Sequence, residues 1–223
     1  MKKAVAILVV LAVAIVAATL LRPLDEKRNA QTVTGLPWQI DILPDGTSKI
    51  FGLTLPTSTL RDAREHFGKD MEIAVIATPG EAGSLEAYYG QITLGVLTGK
   101  MILVAAVEKE TVERMRQHAR KSEYMEGSTR KFTLNPDDME LAYGARIGAI
   151  TFIPSASFDE EIALRHFGQP GERVRTSGEV EHWLYPEKGL ALTLDSGGKE
   201  ILQYVAPRHF ARLRDPLLNQ TPR

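Results

Sequence analysis

The sequence predicts an α+β fold made of two related units, and three observations carry the prediction. Short segments alternating apolar and polar residues, punctuated by glycine and proline, run through most of the chain, the mark of antiparallel strands. The helical patterns between them are mostly short. A shared order of elements also appears twice, led by His66-Phe67-Gly68 and His166-Phe167-Gly168, which lie 100 residues apart. Each unit is expected to be a short helix packed on a three- to four-stranded antiparallel sheet, after an N-terminal transmembrane helix. The expected boundaries are 1–22 for a transmembrane signal anchor, 23–35 for a spacer, 36–126 for the first unit with a following helix, 127–207 for the second unit, and 208–223 for a loose tail.

The N-terminal element comes from Lys2 and Lys3 followed by an apolar run of eighteen residues, Ala4 to Leu21, with only Thr19 mildly polar. At 1.5 Å per residue the run covers roughly 27 Å, close to the hydrocarbon thickness of a bilayer. Cleavage after Ala18, with Val16 and Ala18 as the small residues, is the competing reading. The run is longer than a signal-peptide core and continues past that point through Thr19-Leu20-Leu21, which favours the anchor. A very short N-terminal tail with two lysines places the N-terminus in the cytoplasm and the rest in the periplasm. Removing residues 1–22 takes away Lys2, Lys3 and Arg22 and no acid, leaving 24 basic against 28 acidic groups.

Trp38 to Ile42 alternates, Pro44-Asp45-Gly46-Thr47 has turn chemistry, and Ile50 to Leu55 returns, which predicts a hairpin over 38–55. Thr57 or Ser58 caps a helix whose apolar positions Leu60, Ala63 and Phe67 end at Gly68. Strands follow at Glu72–Ala77, Leu85–Tyr89, Ile92–Leu97 and Met101–Val107, with breaks at Pro79-Gly80, Gly90 and Thr98-Gly99-Lys100. Glu108 to Glu126 reads as the longest helix, with Val112, Met115, Ala119 and Ser122 as its apolar stripe. Asn135-Pro136-Asp137-Asp138 starts a short helix that Gly144 ends. Ile147–Ile153 is a strand. Ser155 or Ser157 then caps a helix with Phe158, Ile162, Ala163 and Phe167 buried. Arg173–Thr176, Val180–Tyr185, Leu190–Leu194 and Glu200–Ala206 close the series as strands.

The recurrence extends beyond the triplet. Leu55-Pro56-Thr57-Ser58 corresponds to Ile153-Pro154-Ser155-Ala156, and Leu85-Glu86-Ala87-Tyr88-Tyr89 to Val180-Glu181-His182-Trp183-Leu184-Tyr185. The second half, through Phe167-Gly168-Gln169-Pro170-Gly171, Glu181-His182-Trp183-Leu184-Tyr185, Gly189-Leu190-Ala191-Leu192 and Ile201, resembles the small outer-membrane lipoprotein A/BamE family. The wider group is the β-lactamase inhibitor protein-like superfamily. In the first half Lys69-Asp70 replaces Gln-Pro, and Tyr88-Tyr89 stands at the aromatic strand. The lipid-anchoring cysteine of that family has no counterpart here. The resemblance implies an envelope-facing module that binds other proteins.

Composition narrows the chemistry. A net charge of −1 gives no reason to expect a nucleic-acid partner, and zero cysteine removes disulfides, thiol catalysis and cysteine-ligated metals. None of the five histidines has a His-x-x-x-His or His-Glu-x-x-His spacing. His66 and His166 are expected at helix ends, where a protonated ring interacts with the terminal carbonyls. Asp137-Asp138 and Glu160-Glu161 suit helix N-termini. No catalytic, cofactor or metal residue is therefore assigned. Trp183, Tyr185, Tyr88 and Tyr89 are the binding candidates, since such rings combine apolar area with a polar tip; packing in the core is the alternative for them. The expected function is that of a membrane-anchored envelope protein that binds a protein partner. A hydrolase with its site between the two units is the alternative.

Overall fold

A computed structural model describes residues 34–125, 127–177, 180–195 and 197–220, and the apolar run Ala4–Leu21 lies outside them. Among the described residues no helix is long and apolar enough to cross a membrane. Residues 33–223 form one compact unit.

A small antiparallel sheet opens this unit, with β1 at Ile40–Ile42, β2 at Ser48–Ile50 and β3 at Leu53–Leu55. The sequence predicts a single strand from Ile50 to Leu55, but the chain reverses at Phe51-Gly52. Both residues have positive φ, 54° and 84°. Such a two-residue turn matches the twist of its flanking strands. The unusual residue is Phe51, and its ring explains why it is held there. It is 2% exposed and packs against Phe152 and, edge-on, Tyr204 at 5.8 and 5.3 Å between centroids.

Helix α1 spans Leu60–Phe67 and is capped by Thr59, one residue beyond the expected Thr57 or Ser58. Thr59 and Asp62 satisfy each other's backbone N–H groups in a capping box. Ser58 instead accepts from the Thr54 N–H.

The main sheet has ten antiparallel strands. They are β4 (Glu72–Ala77), β5 (Ser84–Leu94), β6 (Leu97–Ala105), β7 (Lys121–Tyr124), β8 (Arg130–Thr133), β9 (Ile147–Pro154), β10 (Glu172–Ser177), β11 (Val180–Tyr185), β12 (Leu190–Asp195) and β13 (Ile201–Val205). Their spatial order is β10-β11-β12-β13-β9-β6-β5-β4-β8-β7. The two expected sheets are thus one, joined where β6 pairs with β9 from Gly99↔Pro154 to Ala105↔Ile147. Both halves also share one apolar core. Ending each half with its own sheet edge would have left open strands, and pairing β6 with β9 removes two of them.

Four further helices are α2 (Lys109–Gln117), α3 (Met139–Gly144), α4 (Glu160–Phe167) and α5 (Ala211–Gln220). The small sheet and helices α1–α4 contribute to the core on the inner face of the main sheet. Helix α5 packs on the outer face over Val174, Leu184, Ala191 and Val205, through Leu213 and Leu217 and the preceding Phe210. This corrects the expected loose tail. The apolar positions Phe210, Leu213 and Leu217 fall on one helical face, and Pro216 within α5 does not prevent the helix.

Other corrections have local causes. Residues 84–94 are one strand with a bulge between Tyr89 and Ile92, not two strands broken at Gly90. The turn falls at Gly95-Val96, and Gly99 lies inside β6. A Cβ at Gly99 would sit 2.5 Å from the Phe152 ring, so glycine there serves close strand approach and not a turn. The expected helix over 108–126 ends at Gln117, and Lys121–Tyr124 begins a hairpin with Arg130–Thr133. Only Val112 and Met115 of its stripe are buried. Pairing of Phe132 with Val75 extends the sheet past β4 and outweighs the local helical spacing. Asp159, not Ser155 or Ser157, caps α4 by accepting from the Ile162 N–H.

Candidate functional site

Three of the four aromatic candidates lie in the core. Trp183 is 0% exposed, Tyr89 2% and Tyr185 4%, whereas Tyr88 is 37% exposed on the opposite face. Strand alternation separates Tyr88 from Tyr89. The three buried rings offer no surface to a partner, which corrects their assignment as contact residues.

Their actual role is structural and it is duplicated. The Tyr89 hydroxyl donates to the carbonyls of Ala63 and Gly68, at 3.1 and 3.3 Å. The Tyr185 hydroxyl donates to the Gly168 carbonyl at 3.1 Å. Phe67–Tyr89 and Phe167–Tyr185 both have ring centroids 5.8 Å apart. In each half the aromatic strand therefore fastens the Phe-Gly end of its helix by one phenol. Burial pushes both phenols up to about 12. Trp183 takes a different pair of partners. Its Nε1–H donates to Glu181 at 2.9 Å, and the Arg173 guanidinium lies 4.0 Å over its ring.

His66 and His166 lie in the last turns of α1 and α4, as expected. His166 stacks on Trp38 with centroids 3.7 Å apart. Partial burial and the nearby Arg165 charge hold its pKa down, favouring a neutral ring where a protonated one was expected. His182 sits between Thr176 Oγ1 and Thr193 Oγ1, each 2.9 Å away, and burial lowers its pKa. Among the described residues no carboxylate shares that contact set. His66 borders a cleft of about 810 Å³ with Asp41, Lys49, Gln91 and Thr93, between the small sheet and the β5–β6 hairpin. These groups are exposed and polar, and among the described residues no cluster could hold a metal ion.

The surface that stands out is the outer face of the main sheet. Register places Glu72, Tyr88, Ile102, Thr151 and Gln203 in one row across five strands. The adjacent row runs Ala74, Glu86, Val104, Ala149 and Val205. Helix α5 covers this face at Val205, while Tyr88, Ile102 and Val104 lie beyond it, the last two only half-buried. Where the covered part meets the open part, a recess of about 290 Å³ is lined by Val104, Thr151, Gln203, Arg212 and Leu213. Glu86 lies in the open part and accepts from Ser84 at 2.6 Å; burial still raises its pKa. A carboxylate so placed costs less free energy once protonated or paired.

Strand alternation opposes Tyr88 to Tyr89, although the sequence offers both as binding candidates. It missed Ile102 and Val104 as surface residues because β6 was placed from Met101 onward with an unassigned face. The chain matches no protein-family model, no curated protein and no solved structure.

Proposed function

We propose that this protein is a binding protein of the bacterial envelope, held at the inner membrane by residues 4–21 with its α+β region in the periplasm. Release to the periplasm by cleavage near Ala18 is the alternative placement. Its partner is a protein, and the open half of the outer sheet face is the contact surface. The observation that carries this reading is the unequal treatment of one continuous face. Helix α5 buries the part over β10–β13, while Tyr88, Ile102 and Val104 on the neighbouring strands present apolar area beside a recess. Aromatic and aliphatic groups around a recess are the usual anchors of a protein interface.

The duplicated fastening of helix to strand by Tyr89 and Tyr185 supports an origin by duplication of one helix-and-meander unit. It is also in keeping with the resemblance to the lipoprotein A/BamE and β-lactamase inhibitor protein-like group. The hydrolase alternative gains no support from the geometry. It needs His182 together with carboxylates in a closed site, and His182 contacts two threonines on the outer face instead.

The test is crosslinking of the full chain in its own cells, followed by identification of what is captured. A reproducible protein partner is expected. Recovery of none, with turnover of a small substrate by residues 23–223, would sink the proposal.

A further inference from the structure

The β7–β8 hairpin, which local spacing conceals, carries a second arrangement that the outer face does not explain. Tyr124 and Ser122 of β7 project to the same side of the sheet as Phe132 and Arg130 of β8, as their register requires. There the Arg130 guanidinium lies 4.9 Å from the Tyr124 ring centroid and 5.3 Å from that of Phe132. Its Nη2 donates to Ser122 Oγ, and its Nε–H is buried without a hydrogen-bond partner among the described residues. Arg116 arrives from α2 and donates from Nη1 to the Glu81 carbonyl at 2.7 Å, with a longer contact of 3.5 Å to Glu113. Both arginines line a cavity of about 470 Å³ with Thr78, Tyr124, Ser128 and Phe132. No carboxylate lines it among the described residues.

Beside the cavity runs an open strand edge. Among the described residues nothing pairs with the outer side of β7. The Met125 N–H donates to the Thr129 carbonyl at 2.9 Å. Antiparallel alternation from that pair sets Glu123 opposite Lys131 and Lys121 opposite Thr133 as the hydrogen-bonded pairs. The main-chain groups of Ser122 and Tyr124 therefore turn to the open edge. A strand added there sends every second side chain to the inner side, next to Arg116 and Arg130. At the rim Tyr124 is 76% and Met125 48% exposed, giving such a strand apolar contact as well.

The geometry points to this edge as a site for an extended acidic peptide segment, which pairs with β7 and sets an Asp or Glu carboxylate on Arg116 and Arg130. Main-chain bonds supply the docking and the two guanidinium groups select the acid, the usual division of labour in strand addition. This deepens the protein-binding reading, on which it rests, by naming the chemistry of the partner segment.

The experiment selects peptides from a displayed random library with the full chain in detergent, in parallel with Arg116→Gln, Arg130→Gln and the double variant. Arg116 is only partly buried and bonds the exposed Glu81 carbonyl and Glu113, so its variant keeps the test alive if Arg130→Gln unfolds. The expected result is enrichment of extended sequences with an Asp or Glu. A synthesised selected peptide should bind Arg116→Gln about tenfold or more weakly, and its Asp→Asn or Glu→Gln counterpart should lose as much. Overturning results are no selected peptide, selection without acids, or equal binding by Arg116→Gln. If any of these comes with cellular crosslinking still retained through the outer face, the general binding reading stands and this site is removed.

Discussion

Replacing Tyr89 and Tyr185 by phenylalanine, singly and together, measures whether the two halves are built alike. Each substitution keeps a ring that is nearly fully buried and deletes one hydroxyl proton. In Tyr185 that proton serves the Gly168 carbonyl, and in Tyr89 it is shared by the Ala63 and Gly68 carbonyls. A single neutral hydrogen bond of this kind contributes about 1 kcal/mol. Each variant should therefore lose about 1 kcal/mol in urea unfolding of residues 33–223, with an unchanged denaturant slope. The two phenols lie in different halves, so the double variant should lose the sum within about 0.5 kcal/mol. Alkaline behaviour gives a second readout. Both folded phenols ionise near 12, above the ordinary value of 10. Their contribution is thus complete below pH 10 and is lost as the pH rises through about 12. Wild type should lose stability across that window, and the double variant should lose less. A loss near zero at one tyrosine with a loss above about 2 kcal/mol at the other would refute the equivalence.

Three other outcomes follow from single sites. His182 has a depressed folded pKa, so its contribution is present above its unfolded value and is lost as the pH falls through the folded one. His182→Gln should flatten the acid side of the stability profile below about pH 6.5, as measured by urea titration at stepped pH. The caps of the equivalent helices should respond alike, with Thr59→Ala and Asp159→Ala each losing about 1 kcal/mol in the same assay. Gly99→Ala drives a methyl into the Phe152 ring at the junction of the two halves. It should cost about 1–3 kcal/mol, and a neutral effect would mean that β6 and β9 are not so closely apposed.

Elements with a complete local signal were legible in the sequence. Helix α4 and its predecessor α1 show apolar spacing, a nearby polar cap and a closing glycine, and both form where that pattern stands, with caps one to four residues from those expected. What failed was governed by distant contacts. Phe51 accepts a positive φ because Phe152 and Tyr204 hold its ring, and neither is near it in sequence. Residues 121–124 become a strand because β8, seated on the edge of β4, offers them its own outer side, although their spacing continues the helix before them. The merging of two meanders into one sheet depends on β6 meeting β9, which no segment announces. For the candidate surface, alternation opposes Tyr88 to Tyr89, although the sequence offered both as binding candidates. It could not say which face would be covered, because the tail that forms α5 read as loose. Arg116 and Arg130 stayed unremarked for a related reason, since a misplaced helix hid the hairpin that brings them together.

Adjacent residues on opposite faces permit the most direct measurement of the central claim. A photo-crosslinking amino acid is placed at position 88, and separately at position 89, in the full chain in its own cells. With Tyr88 on the open outer face and Tyr89 buried under α1, position 88 should give a reproducible protein adduct and position 89 none. Adding Ile102→Glu, which puts a charge next to Tyr88 in the same row, should remove that adduct without unfolding the protein. No adduct at position 88, or one that survives Ile102→Glu unchanged, would contradict the outer sheet face as the binding surface.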